Sequence, residues 1–238
     1  MSSKMFHLVT RTWNPVSGCL HNCIYCWARR LALTRLKHLP RYKDGFKPRL
    51  NREEFRRGFK KGLVFVCDMG DLFGVWVPSE WIEEVINHVR RYPSAIFLFL
   101  TKNPERYLEF RDELSELDNV ILGATIETDD DSLYVRNRIS KAPLPSRRLY
   151  AMERVAQEVG GALMVSIEPV LDFSPNFADR ILRVANKAGE FFVYVGYDNY
   201  NNRLPEPPLK KVLELIERLR KCNIRVYEKS LRKAWYEE

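Results

Sequence analysis

Short apolar runs alternate with amphipathic stretches along the chain. Seven of these runs are rich in Val, Ile, Leu and Phe and predict β-strands. The predicted strands are Phe6–Thr12, Leu63–Asp68, Ala95–Thr101, Val120–Glu127, Ala162–Glu168, Phe191–Gly196 and Ile224–Tyr227. Most runs are continuously apolar, which is typical of strands buried on both faces of a parallel sheet. The intervening stretches place apolar residues at helical spacing, as Ile82, Val85 and Val89 do.

The alternation of strand and helix predicts a single-domain α/β fold. Parallel strands need right-handed crossover connections, so we expect a partial or irregular (β/α) barrel of about six to seven parallel strands. The 238 residues, 45% of them hydrophobic, fit one barrel domain over residues 1–238. An open doubly wound sheet is the alternative, although no Gly-x-Gly-x-x-Gly motif follows the first predicted strand.

Polar side chains follow the carboxyl ends of most predicted strands, where a parallel barrel gathers its catalytic groups. These residues are Asp68, Asp71, Lys102, Thr125, Glu127, Glu168, Asp198 and Lys229. Any one of them alone is more typical of a helix cap or a loop charge than of a catalytic group. Together they predict a pocket ringed by carboxylates and lysines.

Three cysteines follow the first predicted strand in the segment Cys19-Leu-His-Asn-Cys23-Ile-Tyr-Cys26. Their spacing allows the three thiolates to converge on one metal centre. A structural zinc takes four protein ligands and a cubane iron–sulfur cluster normally takes four cysteines, one per iron. Three cysteines therefore leave one position open, which favours a catalytic centre over a structural one.

Two other interpretations of the cysteines remain open. A zinc site with three cysteines and one histidine needs only His21 or His7 as its fourth ligand. Cysteines at this spacing also fit the buried face of a helix, where a free thiol packs as a small hydrophobe. Pro15 and Gly18 just upstream are typical of a turn, which favours the metal site over the helix.

Basic residues are concentrated in one segment, Arg29–Lys61, which we treat as an insertion in the barrel. It holds 13 Lys and Arg against three carboxylates, a net charge of +10 in a chain of net charge +8. Tyr42, Phe46, Phe55 and Phe59 lie among the cations, and cations with aromatic platforms suit a nucleic-acid partner. A solvated helical face with its aromatics in the core fits equally well, and a thermophilic host would also raise the charged content.

The chain predicts a cytoplasmic protein that does not enter a membrane. Residues 1–10 lack the apolar run of a signal peptide, and no apolar stretch reaches about 18 residues. Of the five cysteines, Cys67 and Cys222 lie outside the triplet, and unpaired thiols are usual in a reducing compartment. The sequence leaves the oligomeric state open.

The Cys-x3-Cys-x2-Cys spacing, with Tyr25 before the last cysteine, resembles the signature of the radical S-adenosylmethionine (SAM) superfamily. The resemblance implies a [4Fe-4S] cluster ligated by Cys19, Cys23 and Cys26, with SAM on the open iron. It also implies an external one-electron donor, reductive cleavage of SAM to a 5′-deoxyadenosyl radical, and hydrogen abstraction from a substrate.

Longer segments resemble a small phage- and prokaryote-associated branch of this superfamily, whose function is unassigned. They are Thr12-Trp-Asn-Pro-Val-Ser-Gly-Cys19, Met69-Gly-Asp-Leu-Phe73, Leu100-Thr-Lys-Asn-Pro-Glu-Arg106 and Ser166-Ile-Glu-Pro169. A more remote resemblance is to the spore photoproduct lyase group, which acts on DNA. Two other functions remain open, a zinc-bearing nucleic-acid-binding protein and a non-catalytic iron–sulfur protein.

The resemblance also implies roles for residues at the strand ends. Met69, Gly70 and Asp71 stand where the superfamily holds the SAM amino group, although its common form there is Gly-Gly-Glu. Glu127, with its neighbour Thr125, corresponds to the polar residue that contacts the ribose.

Tyr25, Ile167 and Gly196 are the expected adenine contacts. The remaining candidates have no universal role in the superfamily. Lys102 and Glu168 are kept as catalytic candidates, with Cys67 as a hydrogen-atom donor or simply a core residue. Asp198 and Lys229 are kept as substrate contacts.

Overall fold

The computed structural model describes residues 6–237, which form nine strands and seven α-helices. The strands are β1 (Val9–Trp13), β2 (Val16–Ser17), β3 (Arg49–Leu50), β4 (Gly62–Val66), β5 (Ala95–Thr101), β6 (Val120–Thr125), β7 (Ala162–Ile167), β8 (Glu190–Val195) and β9 (Arg225–Glu228). The helices are α1 (Trp27–Leu33), α2 (Ser79–Arg90), α3 (Arg111–Ser115), α4 (Asp131–Arg136), α5 (Pro145–Glu158), α6 (Phe177–Ala185) and α7 (Leu209–Lys221). Two 3₁₀ helices cover Arg52–Arg56 and Pro104–Phe110.

Seven of the strands form one parallel sheet in the order β1-β4-β5-β6-β7-β8-β9, which curls into a partial barrel. This confirms the predicted fold class, and each predicted strand has its counterpart in the sheet. The order runs in one direction from edge to edge. A doubly wound sheet reverses its strand order at a switch point, so that alternative is wrong. Within residues 6–237, no helix is long and apolar enough to cross a membrane.

Side chains of the sheet alternate between two apolar layers. On β5, Phe97 and Phe99 point to the layer shared with the helices, while Leu98 belongs to the concave side. This alternation is the period of two that a β-strand imposes. The concave layer also contains Phe6 and Tyr194 and fills the barrel interior below the strand ends. The space above that layer, at the carboxyl ends of the strands, remains open for a site.

The short pair β2 and β3, which the sequence analysis missed, joins the basic segment to the cysteine region. The two strands run antiparallel, with Val16 opposite Leu50 and Ser17 opposite Arg49. Two residues a strand give too short a pattern to predict. The pair places Arg49 and Leu50, which belong to the basic segment Arg29–Lys61, beside Val16 and Ser17, just before the cysteine region.

The aromatic residues of the basic segment pack inward. Tyr42, Phe46 and Phe59 are buried, and Phe55 packs edge-on against Trp13 at a centroid distance of 5.8 Å. Burial keeps Tyr42, Phe46 and Phe59 from serving as exposed stacking platforms for unpaired bases, whereas Phe55 is half-buried. The exposed cations of the segment are a separate matter, and the nucleic-acid partner stays a prediction.

Candidate active site

The carboxyl ends of the strands surround a cavity of about 760 Å³. Twelve of the sixteen candidate site residues border it: Cys19, Cys23, Tyr25, Cys26, Cys67, Gly70, Asp71, Lys102, Thr125, Glu168, Asp198 and Lys229. The other four, Met69, Glu127, Ile167 and Gly196, lie in the walls behind this lining. Strand ends that are distant in sequence are thus brought to one place, as a parallel barrel requires.

The cysteine loop, Cys19–Cys26, starts at a glycine that no other residue can replace without strain. Gly18 has a φ of +87°, and a Cβ built on it would lie 2.1 Å from the carbonyl oxygen of Lys47. Its amide donates to the carbonyl of Met69 at 2.9 Å, and the amide of Cys19 donates to the carbonyl of Phe46 at 3.0 Å. Glycine is therefore needed for the positive φ and the close backbone approach together.

The three thiols of the cysteine loop are free and face the same cavity. Helix α1 begins only at Trp27, so the interpretation of the cysteines as a buried helix face is wrong. Cys26 is the N-cap of α1, and its Sγ accepts from the amide of Arg29 at 3.3 Å. Burial raises the pKa of the Cys19 and Cys23 thiols. A bound metal offsets this cost because it holds its thiol ligands in the deprotonated form.

The donor set fits a three-cysteine cluster. Within residues 6–237, no three or more His, Cys, Asp or Glu side chains are grouped to hold a single metal ion. Cysteines of a cubane cluster each bind a different iron, so they need a common cavity and not a common ion. His21, a candidate zinc ligand, is bonded to Asp71 through Nε2 at 2.9 Å, and His7 packs against Tyr194 and Tyr227.

A second connection supports the cysteine loop from the α4–α5 linker. The amide of Ile24 donates to the carbonyl of Ile139 at 3.0 Å, and the amide of Lys141 donates to the carbonyl of His21. Ser140 contacts Cys23, with Oγ and Sγ 3.1 Å apart. The sequence analysis missed this support because the linker is more than 110 residues away and carries no motif.

Asp71 ties together three loops of the site. Its Oδ1 accepts from the amide of Phe73 at 3.1 Å and the hydroxyl of Thr101 at 2.6 Å. Its Oδ2 lies 2.9 Å from His21 Nε2 and accepts from the amide of Lys102 at 2.9 Å. Burial alone would raise the pKa of Asp71, but these bonds outweigh it and the pKa is lowered. Each carboxylate oxygen thus has two protein partners, so the expected contact of this carboxylate with SAM stays a prediction.

Glu127 is the centre of a buried ionic cluster, the Glu127 cluster, with Tyr25, Lys102 and Arg148. Lys102 Nζ donates to one carboxylate oxygen at 2.9 Å and Arg148 to the other at 2.7 Å, while the Tyr25 hydroxyl also donates to Glu127. Burial would raise the pKa of Glu127, but Arg148 and Lys102 outweigh it and lower the pKa to about 2. The carboxylate therefore stays ionised, and its ribose contact remains a prediction.

Arg148 is a member of this cluster that the sequence analysis missed. It lies on α5 and is fully buried, beside the apolar face formed by Leu149, Met152 and Val155. Its guanidinium stands 5.1 Å from the ring centroid of Tyr134. A charged residue on the apolar face of a helix was the available signal, since a fully buried arginine needs a buried partner.

Glu168 and Lys229 form an ion pair that faces the cavity. The Lys229 Nζ lies 2.7 Å from the Glu168 carboxylate. Burial raises the pKa of Glu168, and Lys229 only partly opposes it. This carboxyl group therefore takes up a proton more readily than an ordinary glutamate, as suits a group that exchanges protons or contacts a ligand.

Asp198 has mainly a loop-forming role in the structure. Its carboxylate accepts from the amide of Asn202 at 2.7 Å and from the Asn202 side chain at 2.9 Å. Arg232 donates to its carbonyl at 2.8 Å. Asp198 still borders the cavity, so its contact with substrate stays a prediction.

The remaining candidates contribute backbone and apolar surface. Cys67 is buried at the cavity wall with a φ of +59°, a region that non-glycine residues rarely adopt. The amide of Gly196 donates to the carbonyl of Ile167 at 3.2 Å, and both lie behind the Glu168–Lys229 pair. Met69 packs in an apolar cluster with Ala28 of α1, which fixes that helix beside the cysteine loop.

Solved structures that match the chain in fold include two radical SAM enzymes, spore photoproduct lyase and SuiB. Spore photoproduct lyase with dinucleoside spore photoproduct matches at a TM-score of 0.61 and 14% identity, over 90% of this chain and 75% of that one. A form of the lyase with bound AdoMet and the same ligand matches at 0.58 and 15%, over 88% and 61%. SuiB of Streptococcus suis bound to S-adenosylmethionine matches at 0.54 and 11%, over 92% and 50%. Both are radical SAM enzymes, so the chain has the radical SAM fold.

Sequence comparison gives a family but no named activity. No curated protein matches the chain. The chain spans 61% of the length of the AdoMet-bound lyase and half of SuiB. A family model described as "Protein of unknown function (DUF5131)" matches residues 4–173, which is well over half of the sequence. The chain therefore belongs to the DUF5131 family.

Proposed function

We propose that the protein is a radical SAM enzyme. Cys19, Cys23 and Cys26 would ligate a [4Fe-4S] cluster, SAM would occupy the cavity beside it, and a substrate hydrogen would be abstracted. One observation carries the proposal: in a chain with the radical SAM fold, all three thiols border the same cavity as the polar strand ends. An open iron in such a cavity has room for a ligand of the size of SAM.

The residues of the chain divide the work of the reaction. When bound, the cluster supplies the electron that splits the sulfonium of SAM. The closely packed loops around Gly18 and Asp71 hold the three thiols and keep water from the reacting carbon, where only positioning limits the attack. Glu168 and Lys229 present a carboxyl group and an ammonium group to the cavity. Cys67 brings a buried S–H bond to its wall. A product radical would regain a hydrogen atom from it, and the external electron donor, together with a proton, would return the resulting thiyl radical to the thiol.

The reaction also needs partners. An external one-electron donor is required, because none of the side chains around the cavity supplies an electron. We place the protein in the cytoplasm, where a reducing environment keeps its five cysteines as thiols. A nucleic acid is our proposed substrate. Its supports are the basic segment and the fold shared with a lyase whose structure holds a dinucleoside spore photoproduct.

The test is anaerobic reconstitution with iron and sulfide, followed by reduction with dithionite in the presence of SAM. The expected results are the visible absorption of an iron–sulfur cluster, binding of SAM by calorimetry, and formation of 5′-deoxyadenosine. Cys19→Ala, Cys23→Ala and Cys26→Ala should each lose iron and product. Cys222→Ala is the matched control, because Cys222 is an exposed cysteine outside the loop.

Two outcomes would contradict the proposal. Purified protein that carries zinc and forms no iron–sulfur absorption would support the zinc-bearing alternative. A protein that assembles the cluster but binds no SAM would be a non-catalytic iron–sulfur protein. SAM binding without formation of 5′-deoxyadenosine, when no substrate is present, does not contradict the proposal. SAM binding is therefore measured alongside the product.

A further inference from the structure

A second, smaller cavity opens beside the main one. Its volume is about 320 Å³. The two cavities share four residues in their walls, which are Tyr25, Cys26, Trp27 and Tyr200. Cys26, the last cysteine of the loop, lies in the walls of both cavities. A polymer with one unit in the main cavity would therefore place its next unit in the side cavity.

The side cavity exposes apolar side chains to solvent. Ile24 is 44% exposed, Leu33 is 50% exposed and Tyr200 is 48% exposed, and all three line the cavity. Large apolar groups left open around a concave site are typical of a binding surface. Tyr200 adds a flat ring on which an unstacked base can lie.

Unpaired arginines stand at the same cavity. Residues 29–43 hold six Lys and Arg and no Asp or Glu. Of these six cations, only Arg41 makes an ion pair with any residue in 6–237. Arg29 and Arg30 line the side cavity, and the guanidinium of Arg30 lies 5.9 Å from the ring centroid of Tyr200.

Among residues 6–237, no carboxylate lines the side cavity, and the polar groups of its walls besides the arginines include Thr34 and Asn202. A planar guanidinium matches a phosphate with two parallel hydrogen bonds. The cavity thus combines an aromatic face, apolar walls and two unpaired guanidinium groups. This is the set of groups that a base and its phosphate require.

We propose that the side cavity binds one nucleotide of a single-stranded nucleic acid, next to the nucleotide that enters the main cavity. The proposal rests on the proposed function and names the flanking part of its substrate. The base lies on Tyr200 against Ile24 and Leu33, and its phosphate pairs with Arg29 and Arg30. An acidic peptide is the rival occupant, because it also carries negative charge.

The experiment measures binding of fluorescein-labelled oligothymidylate and oligouridylate to the reconstituted protein, by fluorescence anisotropy across a salt series. Tyr200→Ala should weaken binding at least about fivefold, and Tyr200→Phe should not, because stacking needs only the ring. Arg29→Gln with Arg30→Gln should lower the magnitude of the slope of log K against log salt by about 0.7, the value for one phosphate contact on a single strand.

The control for the charge change is Arg183→Gln with Arg225→Gln. These exposed arginines lie outside the basic segment, in the last turn of α6 and at the start of β9, at the opposite end of the sheet, so the same loss of charge there should leave the slope unchanged. Iron content and cluster absorption of every variant are measured, because Arg29 lies near the cysteine loop. Unchanged values show that a loss of binding comes from the side cavity and not from the cluster.

Three results would overturn the inference. The slope would fall equally in both double variants if the attraction were diffuse. Polyglutamate would compete as well as the oligonucleotide, with the same dependence on Tyr200, if the occupant were a peptide. A nucleoside monophosphate would bind as tightly as the oligonucleotide if the ligand were a free nucleotide. Failure of SAM binding with intact, Tyr200-dependent oligonucleotide binding would contradict the proposed enzyme and leave the binding site in the side cavity standing.

Discussion

Glu127 and Glu168 both follow the carboxyl end of a barrel strand, but the chain surrounds them differently. Glu127 is fully buried and bonded to Tyr25, Lys102 and Arg148, and its pKa is lowered to about 2. Glu168 borders the cavity with Lys229 as its ion-pair partner, and its pKa is raised. Burial raises the pKa of both, so the opposite shifts come from the groups bonded to each carboxylate. Tyr25, Lys102 and Arg148 donate to Glu127, whereas Lys229 donates to Glu168 and Lys102 acts on Glu168 only through its charge.

Carboxylates that build the site hold its loops together, whereas carboxylates that serve it face the cavity and can contact a ligand. Glu127 and Glu168 differ in this way. Glu127 and Asp71 use both oxygens on protein donors and connect loops that the sequence keeps far apart. The cost of burying the Glu168 carboxylate is only partly offset by Lys229, and this side chain faces the cavity where ligands would enter. Position at a strand end alone does not distinguish the two kinds, because all three residues occupy such a position.

Removal of the Glu127 charge should have the largest effect. Glu127→Gln leaves Arg148 buried without its ionic partner, and we expect a loss of about 3–5 kcal/mol in the free energy of unfolding. Urea denaturation of the apoprotein measures it. Glu127→Gln combined with Arg148→Met should recover most of the loss, because no fully buried charge is then unpaired and Lys102, the other cation of the cluster, borders the cavity. Glu217→Gln, in the exposed pair with Lys221, is the control and should leave stability unchanged.

The pH dependence of the free energy of unfolding tests the direction in which the pKa of Glu127 is shifted. The folded pKa of Glu127, about 2, lies below its ordinary value of 4.5. Its contribution of about 3 kcal/mol is therefore complete above pH 4.5 and is lost as the pH falls towards 2. The difference in stability between the native chain and Glu127→Gln should shrink in that window. A difference that stays constant would mean that Glu127 is not held as an ion.

The change at Asp71 should have a smaller effect on stability and a specific effect on the cluster. Asp71→Asn replaces an acceptor oxygen with a donor, so two of four buried bonds are lost, at a cost of about 2 kcal/mol. The cysteine loop loses its anchor at His21, and iron content after reconstitution should fall. Asp129→Asn is the matched control, because Asp129 is also buried but is bonded to Ser174. It should lower stability without lowering iron content.

The sequence was sufficient for the sheet because the signal is local. Most barrel strands are continuous apolar runs, and burial on both faces requires that pattern wherever the strand lies. The same holds for the cysteine loop, whose residues are neighbours in sequence. The strand ends were also predictable as a group, since a parallel barrel brings them to one side.

The interior of the site was not predictable in the same way. Arg148 acts on Glu127 across 21 residues and Ser140 contacts Cys23 across 117, and neither pairing leaves a periodic trace in the sequence. The aromatics of the basic segment were given two interpretations, because composition does not show which way a ring points. The burial of Tyr42, Phe46 and Phe59 shows where these rings lie, while the nucleic-acid partner stays a prediction.

Substitution of Glu168 should have the smallest effect on stability. It tests the part of the comparison that concerns a carboxylate facing the cavity. Glu168→Gln should change stability by less than about 1 kcal/mol, because the lost ion pair is offset by the removed cost of a desolvated charge. The folded pKa is raised above 4.5, so any stability that the native carboxyl group adds is present below 4.5 and is lost as the pH rises through the folded pKa.

This pH profile slopes in the opposite direction to that of Glu127, and the same denaturation series measures both. Lys229→Met removes the cation that most opposes the effect of burial on Glu168, so the fall should move to higher pH. If the Glu168 profile instead rises with pH as the Glu127 profile does, Lys229 stabilises an ionised carboxylate at Glu168. Both glutamates would then belong to the framework of the site, and the distinction between building and serving carboxylates would be wrong.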